Sequence, residues 1–139
     1  MSDADDRHAE HPKRTCFVVS PIGAAGSPER KHANQVLDHI IRPTLADLHF
    51  EEPVRADHMP EPGIITRQII EHLLNDDLVV ADLTGSNPNV FYELAIRHAI
   101  AKPFIQITAD RTLPFDVAPQ KTIFLTGSTG TVSRQRGGR

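Results

Sequence analysis

Six consecutive residues, Leu78-Val-Val-Ala-Asp-Leu83, constrain the fold more than any other stretch of the chain. The run is too short for a helix and is apolar at both alternating positions, so it reads as a strand buried on both faces. Such strands belong to parallel sheets with helices packed above and below. Immediately afterwards, Thr84-Gly-Ser-Asn-Pro-Asn89 ends the strand and starts a helix. Asn87 is placed to cap it, and Pro88 fits the first helical position, where the missing N–H costs nothing. The helix then runs through Val90 to about Ala101.

The rest of the chain repeats this alternation. Thr15-Cys-Phe-Val-Val-Ser20 is a second buried strand, followed by the loop Gly23-Ala-Ala-Gly-Ser-Pro28. Behind a Ser27 cap, Ala33, Val36, Leu37, Ile40, Ile41, Leu45 and Leu48 recur on one helical face. Pro43 lies inside that helix and is expected to kink or break it. Residues 50–57 form a weaker strand, placed at or near a sheet edge by Pro53. Ile64, Ile65, Ile69, Ile70, Leu73 and Leu74 again have helical spacing, ended by Asn75-Asp-Asp77. Pro103–Thr108 and Lys121–Thr126 are further strands, with a loop or short helix over 113–119 between them. About five strands and three firm helices in alternation predict an α/β fold with a mainly parallel sheet.

Composition sets the outer limits. At 139 residues, one domain is expected. Its span is 14–126, between polar segments 1–13 and 127–139 that offer almost no apolar surface and are expected to lack stable structure. His8 and His11 fall in the first of these and read as part of a solvated tail. No apolar run approaches the ~20 residues of a membrane span, and the acidic start does not resemble a signal peptide, so a cytoplasmic protein is the default. A net charge of -3 argues against a broad nucleic-acid-binding face. The single cysteine, Cys16, leaves no internal disulfide and no Cys-based zinc site.

Ligands of open parallel sheets bind at the carboxyl ends of the strands, near a switch in strand order. Those ends carry Ser20 to Gly23, Arg55 to Asp57, and Asp82 to Asn89. In the last, a carboxylate ends the strand (Asp82), two amides open the helix (Asn87, Asn89), and a second carboxylate follows early in it (Glu93). A helix N-terminus favours anions and can keep a nearby carboxylate ionised, ready to act as nucleophile or to stabilise a cation at a sugar carbon. The plainer alternative pairs Glu93 with Arg97, four residues on, in a surface salt bridge. Gly23 to Ser27 could bring backbone amides to a phosphate, although it matches neither Gly-x-Gly-x-x-Gly nor the P-loop. Arg30 could reach a phosphate or stand in solvent, and Asp57 could bind a ribose hydroxyl or cap the following loop. His32, His39, His49, His58, His72 and His98 show no metal-binding spacing, and His98 reads as packed on its helix. Ser20 lacks the Gly-x-Ser-x-Gly setting of an acyl-transfer nucleophile.

Three segments together carry a resemblance. Phe17-Val-Val-Ser-Pro-Ile-Gly23, Arg55-Ala-Asp57 and Ala81-Asp-Leu-Thr-Gly-Ser-Asn-Pro-Asn-Val-Phe-Tyr-Glu-Leu94 resemble bacterial TIR-like domains, which are similar in turn to nucleoside 2-deoxyribosyltransferases. The resemblance covers residues 15–126 and is most specific in the third segment. It implies a flavodoxin-like, doubly wound, five-stranded sheet. It also implies chemistry at an N-glycosidic bond, with Glu93 matching the family's glutamate. Ser20, Gly23, Arg30, Asp57, Asp82, Thr84, Asn87 and Asn89 stand at or beside the strand ends that converge on one edge of such a sheet and are expected to bind the substrate. TIR enzymes resembling this chain cleave NAD+, often in defence against phage. NAD+ would then be substrate, with no separate cofactor or metal, and the protein a homo-oligomer meeting neither membrane nor nucleic acid.

Two departures bear on that expectation. The transferases carry an Asp where this chain has Asn87, and their domains continue into a further helix where this chain has Gly-Ser-Thr-Arg sequence. The chain therefore reads as shorter than the family's domain. A neutral nucleobase benefits from a proton donor as it leaves. Nicotinamide leaves a cationic ring without one, so Asn87 favours NAD+ cleavage. Deoxyribosyl transfer or nucleotide N-glycosidase activity is the first alternative, and a non-catalytic nucleotide-sensing or self-assembling module is the second.

Overall fold

The computed structural model describes residues 12–56, 66–110, 122–126 and 131–134. Its strands are β1 (Cys16–Val19), β2 (Val54–Arg55), β3 (Leu78–Asp82), β4 (Phe104–Thr108), β5 (Thr122–Thr126) and β6 (Thr131–Arg134). They form one sheet in the order β2-β1-β3-β4-β5-β6. The first five are mutually parallel, as the alternation of elements predicts, and β6 runs antiparallel to β5. Strand β3 is central, with Cys16 to Val19 paired to Leu78 to Ala81 on one side and Val79 to Asp82 paired to Phe104 to Ile107 on the other. The order reverses between β1 and β3, the switch of a flavodoxin-like sheet.

Helix α1 (Pro28–Val36) continues through a widened turn, Leu37–Ile41, into α2 (Arg42–Asp47). Helix α3 (Arg67–Asn75) precedes β3, and α4 (Pro88–Ala99) follows it. The expected break at Pro43 is instead a π-turn. Proline cannot donate to the carbonyl four residues back, and its ring crowds that carbonyl. A wider turn relieves the crowding, and the Arg42 N–H reaches back five residues to the Leu37 carbonyl.

Two apolar layers explain the double-sided character of β1 and β3. Phe17, Val19, Val79 and Ala81 face Ile69, Leu73, Val90 and Leu94 of α3 and α4. Cys16, Val18 and Val80 face Val36, Leu37, Ile41 and Leu45 of α1, the widened turn and α2. Alternation along each strand feeds both layers. Strand β2 is short and at the edge, as Pro53 predicts.

One boundary is corrected. The structureless segment expected over 127–139 contains β6, whose backbone pairs with β5 despite a sequence, Thr-Val-Ser-Arg, that has one apolar residue. The expectations for residues 1–11, for Asp57 and His58, for Ile64 and Ile65, and for the 113–119 loop lie outside the described residues. Among the described residues no helix is long and apolar enough to cross a membrane.

Candidate functional site

Parallel pairing brings the carboxyl ends of β1, β3 and β4 to one edge of the sheet. The loop after β1 leads to α1 on one face, and the loop after β3 leads to α4 on the other. Loops that diverge in this way open the crevice in which such sheets bind ligands.

The first loop is built tightly. Gly23 has φ +68°, and a Cβ there would come within 2.7 Å of Ser27 Oγ and 2.9 Å of Glu29 Cβ. Only glycine fits without displacing the start of α1. Ser27 caps that helix by accepting from the Arg30 N–H at 3.1 Å. The Arg30 guanidinium donates to the carbonyls of Ile22 (3.3 Å) and Gly23 (3.0 Å), so it braces its own loop rather than standing in solvent. Ser20 Oγ is buried at the mouth of this loop, without a hydrogen-bond partner among the described residues.

Asp82 ends β3 and is fully buried. Its Oδ1 accepts from the Thr84 N–H at 3.0 Å and the Thr84 hydroxyl at 2.6 Å. Its Oδ2 lies 2.8 Å from His32 Nε2 of α1. Thr84 Oγ1 also accepts from the Ala109 N–H at 2.9 Å, and the Gly85 N–H donates to Asp110 at 2.8 Å, which joins the ends of β3 and β4. Asp82 and Thr84 therefore organise the edge, with both carboxylate oxygens already engaged. The hydrogen bond that His32 donates to Asp82 is the main cause that holds the His32 pKa above its usual 6.5, against the opposing effect of burial; Asp110 adds a smaller push. His32 was not among the expected site residues. Its partner is 50 residues away, and its only sequence signal is its place in the second turn of the helix after β1.

On α4, Asn87 acts as the expected cap. Its Oδ1 accepts from the N–H groups of Asn89 (2.8 Å) and Val90 (3.4 Å), while the Asn89 side chain is exposed. Glu93 follows one and a half turns later. It is 6% exposed, and its side chain makes no hydrogen bond or ion pair among the described residues. Burial pushes its carboxyl up to about 7.

The expected surface pair with Arg97 is overturned. Arg97 is fully buried and donates to the carbonyls of Leu73 (2.9 Å) and Pro103 (3.1 Å). A tertiary site for the guanidinium outcompetes the exposed i,i+4 geometry.

The expected residues thus divide. Ser20, Gly23, Arg30, Asp82 and Thr84 belong to the β1 and β3 ends and the α1 side. Glu93 is carried by α4, whose apolar contacts lie on the opposite face. Among the described residues no hydrogen bond or ion pair joins Asp82 to Glu93, and a ligand lying over the carboxyl edge of the sheet is what could bridge them. A cavity of about 420 Å³ opens at the other, amino-terminal edge, beside Arg14, Asp77 and Lys102. Two of its charged groups are engaged structurally: Asp77 accepts from the Thr15 N–H and Lys102 donates to the Leu74 carbonyl.

No family model and no curated protein matches the chain. Among solved structures, the 2-desoxiribosyltransferase from Leishmania mexicana is similar, with a TM-score of 0.55 and 16% sequence identity over 88% of this chain and 79% of that one. At that identity the likeness is one of fold, and the chain shares the architecture of a deoxyribosyltransferase.

Proposed function

We propose that the protein makes or breaks the N-glycosidic bond of a nucleoside or nucleotide, with Glu93 as the carboxyl group at the sugar's anomeric carbon. The observation that carries this reading is the isolation of Glu93. A buried carboxyl without a partner opposes folding whenever it is ionised, and such groups concentrate at functional sites. Ionised beside C1′, it would meet the positive charge that develops there with its full field, since no donor among the described residues competes for its oxygens. The motif around Asn87-Pro-Asn-Val-Phe-Tyr-Glu93 and the deoxyribosyltransferase architecture point to the same chemistry.

The leaving group separates two versions of the reaction. Nicotinamide departs from NAD+ without protonation, so that version needs no acid to replace the Asp that position 87 lacks. A neutral nucleobase departs with a proton. Purified protein incubated separately with NAD+ and with deoxynucleosides plus a second base decides between them by chromatography. Nicotinamide release assigns the first, and free base or base exchange assigns the second. A folded protein that changes neither substrate would contradict the enzymatic reading and favour a nucleotide-sensing or self-assembling module.

A further inference from the structure

Resting on that reading, we propose that His32, held by Asp82, is the acid that protonates the departing base, so that the substrate is a nucleoside whose base is neutral. The geometry is that of a directed proton carrier. Asp82 is fully buried at the last position of β3, and two donors from Thr84 fix the orientation of its carboxylate. The other oxygen holds His32 Nε2 at 2.8 Å. This fixes the ring and leaves Nδ1 as its proton-exchanging atom. The His32 side chain is 27% exposed, so the ring reaches solvent at the carboxyl edge while its partner does not.

Charge disfavours a phosphate clamp at this place. The acidic groups that act on His32 are Asp82 from β3 and Asp110 from the end of β4. On its own helix Glu29 is exposed, and Arg30 donates to the Ile22 and Gly23 carbonyls. Two carboxylates against one imidazolium give a locally negative site, which repels phosphate and suits an uncharged base. The same carboxylates raise the pKa of the ring and so favour its protonated form, the state a general acid must hold.

The step balances as follows. The C1′–N bond breaks and its electron pair stays on the base nitrogen. The base takes the Nδ1 proton from His32 and leaves neutral, and His32 is left as neutral imidazole. The charge at C1′ is met by the Glu93 carboxylate. Water or an acceptor base then attacks C1′, and the proton it loses restores His32.

The test compares two substrates in the full chain. 2′-Deoxyguanosine needs a proton on its base, whereas 7-methyl-2′-deoxyguanosine releases an already neutral base. His32→Gln should lose at least ~10² more rate on the first than on the second. A purely structural latch would lower both rates equally, and that outcome overturns the proposal. Wild-type rate on 2′-deoxyguanosine should fall as pH rises through the His32 titration, and that fall should be lost in His32→Gln. Asp82→Asn should move that fall to lower pH, and an unmoved profile refutes the role even if His32→Gln does not fold. A folded wild type inactive on both substrates overturns the glycosidic reading itself, and this inference with it.

Discussion

Replacing Glu93 by Gln should stabilise the protein at alkaline pH. Burial raises the Glu93 carboxyl from 4.5 to about 7, so the native state binds its proton more tightly than the unfolded chain does. Below about pH 4.5 the group is neutral in both states and carries no penalty. As pH rises toward 7 the unfolded chain ionises freely while the native site resists, and stability is lost across that window. Above about pH 7 the loss is complete and constant. A difference of this size corresponds to about 3 kcal/mol. Glutamine has nearly the same shape and is neutral throughout. Glu93→Gln should therefore match wild type near pH 4 and exceed it by about 3 kcal/mol near pH 8, a rise in Tm on the order of 10 °C for a domain of this size. Thermal and urea melts of both proteins between pH 4 and pH 8.5 measure this directly. A variant no more stable than wild type at pH 8, or a difference that does not change with pH, would refute the isolation of Glu93.

Arg97→Ala should destabilise by about 3–5 kcal/mol, because it opens a cavity in place of a fully buried side chain and removes the guanidinium donors of the Leu73 and Pro103 carbonyls. Urea melts check this, and a loss under ~0.5 kcal/mol would return Arg97 to the exposed ion pair that its spacing suggests. Gly23→Ala should cost roughly 1–3 kcal/mol, from its positive φ and the close approach of Ser27 and Glu29. Gly26→Ala, also at positive φ but with open space around it, should cost less, and equal losses in melts of the two variants would remove the steric part of this account.

The parts of the fold legible in the sequence are those set by local chemistry. The apolar run Leu78–Leu83 announces a central parallel strand, Asn87-Pro88 announces a capped helix, and Pro53 marks an edge. What stayed hidden depends on contacts distant in sequence or on backbone pairing alone. Pro43 signals that a regular helix must yield, but not that it yields by widening a turn. Strand β6 carries almost no apolar pattern, because an edge strand can be held by backbone bonds to its neighbour. Glu93 was legible through its motif, but its isolation was not. The i,i+4 spacing to Arg97 suggests a pair, and only the fold shows the carbonyls of Leu73 and Pro103 taking the guanidinium instead. His32 and Asp82 meet only once α1 is laid against β3, so neither spacing nor composition announces them.

The most direct test of the central claim is turnover by Glu93→Gln. Initial rates with 2′-deoxynucleosides and with NAD+ are compared for wild type and variant, alongside substrate affinity. If Glu93 stabilises charge at C1′, the variant should lose ~10²–10³ in rate on whichever substrate wild type turns over. Affinity should fall far less, because that charge develops mainly in the transition state. A folded Glu93→Gln protein that turns over substrate at the wild-type rate would contradict the account.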